Sequence, residues 1–193
     1  MVRIHITGAS GAGTTSLGRA LAEDIGILHL DSDDFYWLRT DPPFTTPRER
    51  DQRIDLLLEC ARSELSWVLS GSALGWGAKV EPLFDLIVFL RIEPQLRLER
   101  LRRRELARYG PRIQDGGDMV AKHKEFMDWA ASYDTAGPEQ RSLVAHEQWL
   151  ATQTCPVLHL DSSRPVAELA REVRAHPALT PSARTDASTP AGR

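Results

Sequence analysis

Eight residues into the chain stands Gly8-Ala9-Ser10-Gly11-Ala12-Gly13-Thr14-Thr15, a glycine-rich turn that ends in two hydroxyl side chains. Val2, Ile4 and Ile6 ahead of it alternate as a short strand, and Ser16-Leu17-Gly18-Arg19-Ala20-Leu21-Ala22 behind it begins a helix. Glycine accepts positive φ and lets backbone come close to a ligand. A strand-to-helix turn of this kind turns main-chain N–H groups and the positive end of a helix dipole toward an anion. The spacing is that of G-x-x-x-x-G-K-[ST], which cradles nucleotide phosphates, with Thr15 offering its hydroxyl to a phosphate-bound Mg²⁺. The residues expected to contact the nucleotide are Gly8, Ser10, Gly11, Ala12, Gly13, Thr14, Thr15 and Ser16. One residue departs from the pattern: Thr14 stands where the lysine belongs. A charge-assisted hydrogen bond of that kind is worth about 1.5–3 kcal/mol. The backbone cradle survives its loss, but transition-state charge must then be met by another cation.

A second group of reactive side chains is Asp31-Ser32-Asp33-Asp34-Phe35-Tyr36-Trp37. Phosphoryl transfer needs alignment, charge neutralisation and an acceptor for the hydroxyl proton. The carboxylates of Asp31, Asp33 and Asp34 can supply these parts, Asp33 or Asp34 as the base or acceptor ligand and Asp31 as an outer partner of the metal, and spacing alone does not decide among them. The competing reading is a polar loop in which Asp31 or Ser32 caps local backbone. Tyr36, Arg39, Gly71 and Trp76 are expected around the acceptor, the aromatics as an apolar wall or equally as loop packing. The segment Arg97–Arg112 holds Arg97, Arg100, Arg102, Arg103, Arg104, Arg108 and Arg112, more than solvation of one helix face requires. Of these, Arg100, Arg104 and Arg108 are the candidates to replace the lysine. The competing reading is a helix salt-bridged through Glu99 and Glu105.

These groups need a scaffold, and the chain supplies one. Strand-like runs recur at Val2–Thr7, Ile27–Leu30, Trp67–Ser70, Leu86–Ile92 and Val157–Leu160, separated by amphipathic helical stretches. Val166, Leu169, Ala170 and Val173 sit at i, i+3, i+4 and i+7, a buried stripe on the last helix. Alternating strands and helices imply a parallel sheet covered on both faces, with the ligand at the carboxyl ends of the strands. The expected class is therefore α/β. No acidic residue ends the third run, so the usual metal-side carboxylate is missing there, and Asp85 precedes the fourth run at the wrong end. Asp134-Thr135-Ala136-Gly137 spells a switch motif of GTPases, but it follows a helical segment and reads as a loop.

The chain of 193 residues is 41% hydrophobic with net charge −3, which suits one globular domain and argues against a general nucleic-acid binder. No apolar run reaches the roughly 20 residues of a membrane span. Cys60 and Cys155 form no metal-ligand cluster, which points to a reducing, cytoplasmic setting.

With these features in place the chain resembles the adenylate-kinase-like branch of the P-loop small-molecule kinases, over about residues 1–175. More closely, it is similar to bacterial proteins described as adenylate-kinase-related or AAA-family ATPases, which share a lysine-less GASG-x-G-[TV]-T loop. The resemblance implies a three-layer P-loop NTPase fold: a five-stranded parallel sheet in order 2-3-1-4-5, flanking helices and an arginine-rich lid over Arg97–Arg112. It implies that Asp33 serves as base or acceptor ligand, since both shikimate-kinase-like and uridine-kinase-like patterns land on it. It also implies that Ser70–Gly77 forms an acceptor loop and that Arg164-Pro165 supports adenine. The expected domain is 1–176, with a disordered tail at 177–193. The expectation is a kinase that uses ATP and Mg²⁺ on a small hydroxyl or phosphate acceptor. The rival is a nucleotide-binding protein or slow ATPase without kinase turnover.

Overall fold

A computed structural model describes residues 1–179. The first strand, β1 (Arg3–Gly8), runs into the glycine loop and then α1 (Thr14–Ile25). β2 (Leu28–Asp31) leads to a short helix, α2 (Ser32–Tyr36), and after a proline-rich loop to α3 (Arg50–Ser63) and β3 (Trp67–Ser70). β4 (Leu86–Arg91) is followed by the long arginine-rich α4 (Pro94–Tyr109), then α5 (Val120–Ala131) and α6 (Leu143–Ala151). β5 (Val157–Asp161) and α7 (Val166–Arg174) complete the fold. The five strands form one sheet in order β2-β3-β1-β4-β5, all pairs parallel. This is the sheet and strand order expected from the sequence.

Local chemistry explains the element ends. Gly26, at φ 68°, ends α1 by returning its amide to the Ala22 carbonyl. Glu93 caps α4, its carboxylate accepting the Leu96 amide at 2.8 Å, and Pro94 occupies the first turn where no N–H is needed. The first five residues of β4 are all buried, as a strand covered on both faces must be. β2 begins and ends one residue later than the apolar run suggested, so Asp31 is the last strand residue.

Alternation along β1 separates two cores. Ile4 and Ile6 pack with Leu17 and Leu21 of α1, Val88 and Leu90 of β4, and Leu169 and Val173 of α7. Leu57 and Leu58 of α3, Trp67 and Leu69 of β3, Ile87 and Phe89 of β4, and Leu150 of α6 form the other face. The last helix buries Leu169, Ala170 and Val173, whereas Val166 keeps 37% of its surface exposed at the first turn.

The second core contains a polar seam beneath the glycine loop. His5 stacks on Phe84 and its Nδ1 lies 3.1 Å from the Leu69 carbonyl. Thr7 reaches His146 Nε2 at 3.4 Å, and the Tyr133 hydroxyl lies 2.8 Å from His146 Nδ1. Burial lowers the His5 pKa to about 4 and the His146 pKa to about 3, and the nearby Arg141 charge pushes both the same way. Both imidazoles are neutral at pH 7.

Pro177–Leu179 form a turn of 3-10 helix with Leu179 against the α1–α7 core, so contact with the domain continues three residues past the expected boundary. The remainder of the expected tail, 180–193, lies outside the described residues. Among the described residues no helix is long and apolar enough to cross a membrane.

Candidate functional site

The glycine loop sits at the carboxyl end of β1, in the middle of the sheet, where an open α/β sheet places its ligand. Gly11 has φ +86°, and a Cβ there would fall 2.8 Å from Leu101 Cγ and 2.9 Å from the Arg97 carbonyl. Glycine is therefore needed for conformation and for close packing of α4 on the loop. Gly13 ends the loop without a side-chain cap, leaving the first-turn amides of α1 without intrahelical partners. A Cβ on Gly13 would meet nothing within 4 Å, so the mouth of the loop is open.

Two expected metal-side residues meet directly. The Thr15 hydroxyl donates to Asp31 Oδ2 at 2.8 Å, while Asp31 Oδ1 accepts the Asp33 amide at 3.1 Å. One carboxylate thus ties the loop to the turn that carries Asp33. A hydroxyl and a carboxylate at a phosphate loop are hard oxygen donors of the type Mg²⁺ takes, alongside phosphate oxygens and water. Among the described residues no cluster of three or more His, Cys, Asp and Glu could hold a metal by itself. Ser70 ends β3 where a carboxylate was sought, and bonds His29 Nε2 at 2.9 Å. Asp85, at the other end of the sheet, accepts the Arg3 amide at 2.8 Å.

Asp33 is exposed in the first turn of α2. Partial loss of water and the neighbouring Asp31 raise its pKa, opposed by the charges of Arg141, Arg104 and Arg108. Asp34 is exposed on the same helical turn. Gly71, at φ +98°, packs so tightly that a Cβ would overlap Ser32 Oγ. This close contact holds the end of β3 against the turn bearing Asp31 and Asp33.

The aromatics divide. Trp76 is only 6% exposed, donates its indole N–H to the Ser72 carbonyl at 3.0 Å and belongs to the core. Tyr36 rests against it with ring centres 6.3 Å apart and carries the Arg53 guanidinium over its own ring, 3.8 Å from the ring centre. Arg39 is exposed beside this group. The loop after α2 also touches α4: the Tyr109 hydroxyl donates to the Pro43 carbonyl at 3.0 Å, and Arg108 lies 4.1 Å from the Phe44 ring centre.

The candidate arginines separate just as clearly. Arg104 and Arg108 both bind Glu105, at 3.0 and 3.7 Å, and that carboxylate is buried. The charges of both also act on Asp33, so the salt-bridged-helix reading holds for the same residues that lower its pKa. Arg100 turns away and donates to the Ser162 carbonyl at 3.0 Å. Arg164 pairs with Glu172 at 2.7 Å and Glu168 at 3.7 Å beside the loop after β5. Arg97 is buried, bound to the Ala130 carbonyl and, at 2.6 Å, to Asp134. Asp134 of the decoy motif therefore serves as a structural counter-ion. A cavity of about 480 Å³ opens beside Ala9, lined by Arg91, Glu93, Tyr133 and Asp161 at the ends of β4 and β5.

Sequence reasoning missed Arg141. It lies immediately before the Ser142 cap of α6, yet donates to the carbonyl of Gly8, the first residue of the glycine loop. No spacing pattern announces a side chain that reaches its site from 133 residues away.

No protein-family model matches the chain. Among solved structures, a shikimate kinase from Bacteroides thetaiotaomicron aligns over 90% of this chain and 96% of its own with TM-score 0.54 and 19% identity. A gluconokinase from Sinorhizobium meliloti 1021 aligns over 89% and 88% with TM-score 0.50 and 18% identity. At those identities the likeness concerns the fold alone. In sequence, the cytidylate kinase of Archaeoglobus fulgidus is 29% identical over 115 residues, 54% of this chain and 62% of its own length. "Uncharacterized protein YqaC" of Bacillus subtilis (strain 168) is 46% identical over 165 residues, 86% of this chain and 91% of that protein. That identity, carried over nearly the whole of both chains, means that this protein belongs to the YqaC family.

Proposed function

We propose that the chain is a kinase that transfers the γ-phosphoryl group of Mg·ATP to a hydroxyl or phosphate of a small acceptor. The observation that carries this reading is the Asp31 carboxylate, bonded at once to the Thr15 hydroxyl and to the Asp33 amide. It joins the donor side of the cleft to the residue suited to deprotonate an acceptor. The P-loop kinase fold and the partial likeness to a cytidylate kinase support the same conclusion.

In this reading the amides from Gly11 to Ser16 bind the phosphates, and Thr15 and Asp31 hold the metal. Bound Mg·ATP supplies the phosphoryl group and the metal's share of charge neutralisation. Asp33 accepts the proton of the acceptor hydroxyl, a role helped by a raised pKa. Arg104 and Arg108, held by Glu105, face the developing negative charge. Arg100 and Arg164 flank the loop after β5 and belong to the side that receives the nucleotide base. Tyr36, Arg39 and Asp34 border the acceptor, with Trp76 as the buried support under Tyr36. We take the setting to be the cytoplasm.

The test is transfer of γ-labelled phosphate from Mg·ATP into pooled nucleosides, nucleoside monophosphates, sugars and hydroxy acids. Labelled product in any pool is the expected result, and fractionation of that pool identifies the acceptor. The rival, a nucleotide-binding protein without turnover, has Thr14 and the missing carboxylate after β3 in its favour. Tight Mg·ATP binding with no labelled product across the pools would select it.

A further inference from the structure

We propose that Arg141, reaching in from the loop ahead of α6, is the phosphate-facing cation that the glycine loop lacks at Thr14. The inference rests on the nucleotide-binding reading of that loop.

Three observations converge on it. The Arg141 guanidinium is fixed on the loop itself, through its bond to the Gly8 carbonyl. Its Nε–H is sealed from solvent without an acceptor, and so is the Nε–H of Arg97. Arg97, Arg141 and Ser10 of the loop line the same small void, walled by Trp129 and Tyr133. The two arginines differ in charge balance. Arg97 has Asp134 at 2.6 Å, whereas among the described residues no carboxylate lies within ion-pair distance of Arg141.

A half-buried guanidinium whose Nε–H is shielded and which is given no carboxylate is costly to hold, and the cost is recovered when an anion arrives. The surroundings keep Arg141 uncompensated. Trp129 presents a ring face 5.9 Å from the guanidinium, and the His5 and His146 imidazoles beneath are neutral. Tyr133 is also uncharged, burial pushing its hydroxyl pKa well up, and Asp33 is the carboxylate that feels Arg141 most among the cleft arginines. Arg97 and Arg104 add positive charge on the same side. The unmet positive charge thus sits against the first residue of the glycine loop and acts on Asp33, the two groups between which the proposal puts the transferred phosphoryl group. A lysine at position 14 would put its charge on this loop from α1; Arg141 approaches the same loop from the α6 side of the sheet. The long reach of arginine and its several donors allow one group to hold Gly8 and still face a phosphate oxygen.

Arg141→Gln separates these duties, because the amide keeps an N–H for the Gly8 carbonyl and removes the charge. We expect the variant to melt cooperatively and to bind AMP as the wild type does. Mg·ATP should bind about 10-fold more weakly or worse, which is what one charge-assisted hydrogen bond is worth. Transfer should slow by about 10²–10³. Arg141→Lys should recover part of the Mg·ATP affinity, and Thr14→Lys placed in the Arg141→Gln background should recover more. Unchanged preference for Mg·ATP over AMP in Arg141→Gln, with unchanged turnover, overturns the proposal.

A measurement on unmodified protein guards against a variant that fails to fold. The shielded Arg141 Nε–H should give a resolved ¹⁵N resonance, assigned through Arg141→Lys, which moves on saturation with Mg·ATP and stays with AMP. A resonance that ignores saturating Mg·ATP refutes the assignment. Wild-type protein that binds neither nucleotide instead refutes the nucleotide-binding reading, and the role given to Arg141 falls with it.

Discussion

Lowering the pH from 7.5 to 5.0 should cost this protein much of its stability, through His5 and His146. Each is fully buried and each has its native-state pKa depressed, to about 4 and about 3, from an ordinary value of 6.5. Protons therefore bind the unfolded chain first as the pH falls. The stability these residues contribute is whole above about pH 6.5 and drains away toward their native pKa values. One pKa unit is worth about 1.36 kcal/mol, so 1.5 pH units below 6.5 costs about 2 kcal/mol per histidine and about 4 kcal/mol for both. His29, half-buried and also depressed chiefly by burial, adds a smaller slope of the same sign. A domain of this kind holds only about 5–15 kcal/mol in all, so the effect is large. Urea unfolding at pH 7.5, 6.5, 5.5 and 5.0 measures it directly. His146→Gln removes one of the two titrations and should nearly halve the slope, whatever it does to absolute stability. A free energy of unfolding constant to within about 1 kcal/mol over that range would contradict the neutral, desolvated seam beneath the glycine loop.

Other perturbations address the cleft. Asp33→Asn should leave the Mg·ATP dissociation constant nearly unchanged while slowing transfer by about 10²-fold or more, as loss of a general base does; near-normal turnover removes Asp33 from that role. Thr15→Val deletes the hydroxyl that bonds Asp31, and should raise the Mg²⁺ concentration needed for half-maximal nucleotide binding by about 10-fold, within the range for lost metal-site support. An unchanged Mg²⁺ titration would show that Thr15 does not help hold the cation. Gly11→Ala forces a Cβ against Leu101 and the Arg97 carbonyl at φ +86°. It should cost about 1–3 kcal/mol in thermal or urea unfolding and weaken nucleotide binding, and wild-type values for both would mean the loop tolerates a side chain. Leu57→Ala, at a fully buried position of the core, should cost about 2–5 kcal/mol of stability; calorimetric titration should then find Mg·ATP affinity unaltered in the folded protein.

The sheet was legible because its signals are local. Each strand is a short apolar run closed by polar residues, and amphipathic helical stretches separate the runs. The glycine loop was legible for the same reason, since Gly8 to Thr15 act as one contiguous piece of backbone. Asp31 and Asp33 could be nominated from their place after a strand, and their bonds agree with that place. Trp76 shows the limit: a tryptophan in a glycine-rich loop suggests a ligand wall, yet this one fills the core under Tyr36.

The arginines show where tertiary structure alone decides. Seven of them crowd one short segment, and one or two of Arg100, Arg104 and Arg108 were expected to replace the lysine. The buried Glu105 holds Arg104 and Arg108, while Arg100 is spent on Ser162 and Arg97 on Asp134. Arg141, isolated in an irregular loop, is the arginine that, among the described residues, bonds the glycine loop through its side chain. A side chain's charge and length are written in the sequence. Which carbonyl it meets, and which carboxylate it fails to meet, depends on how the α5–α6 connection crosses the end of β1, and long-range packing sets that path.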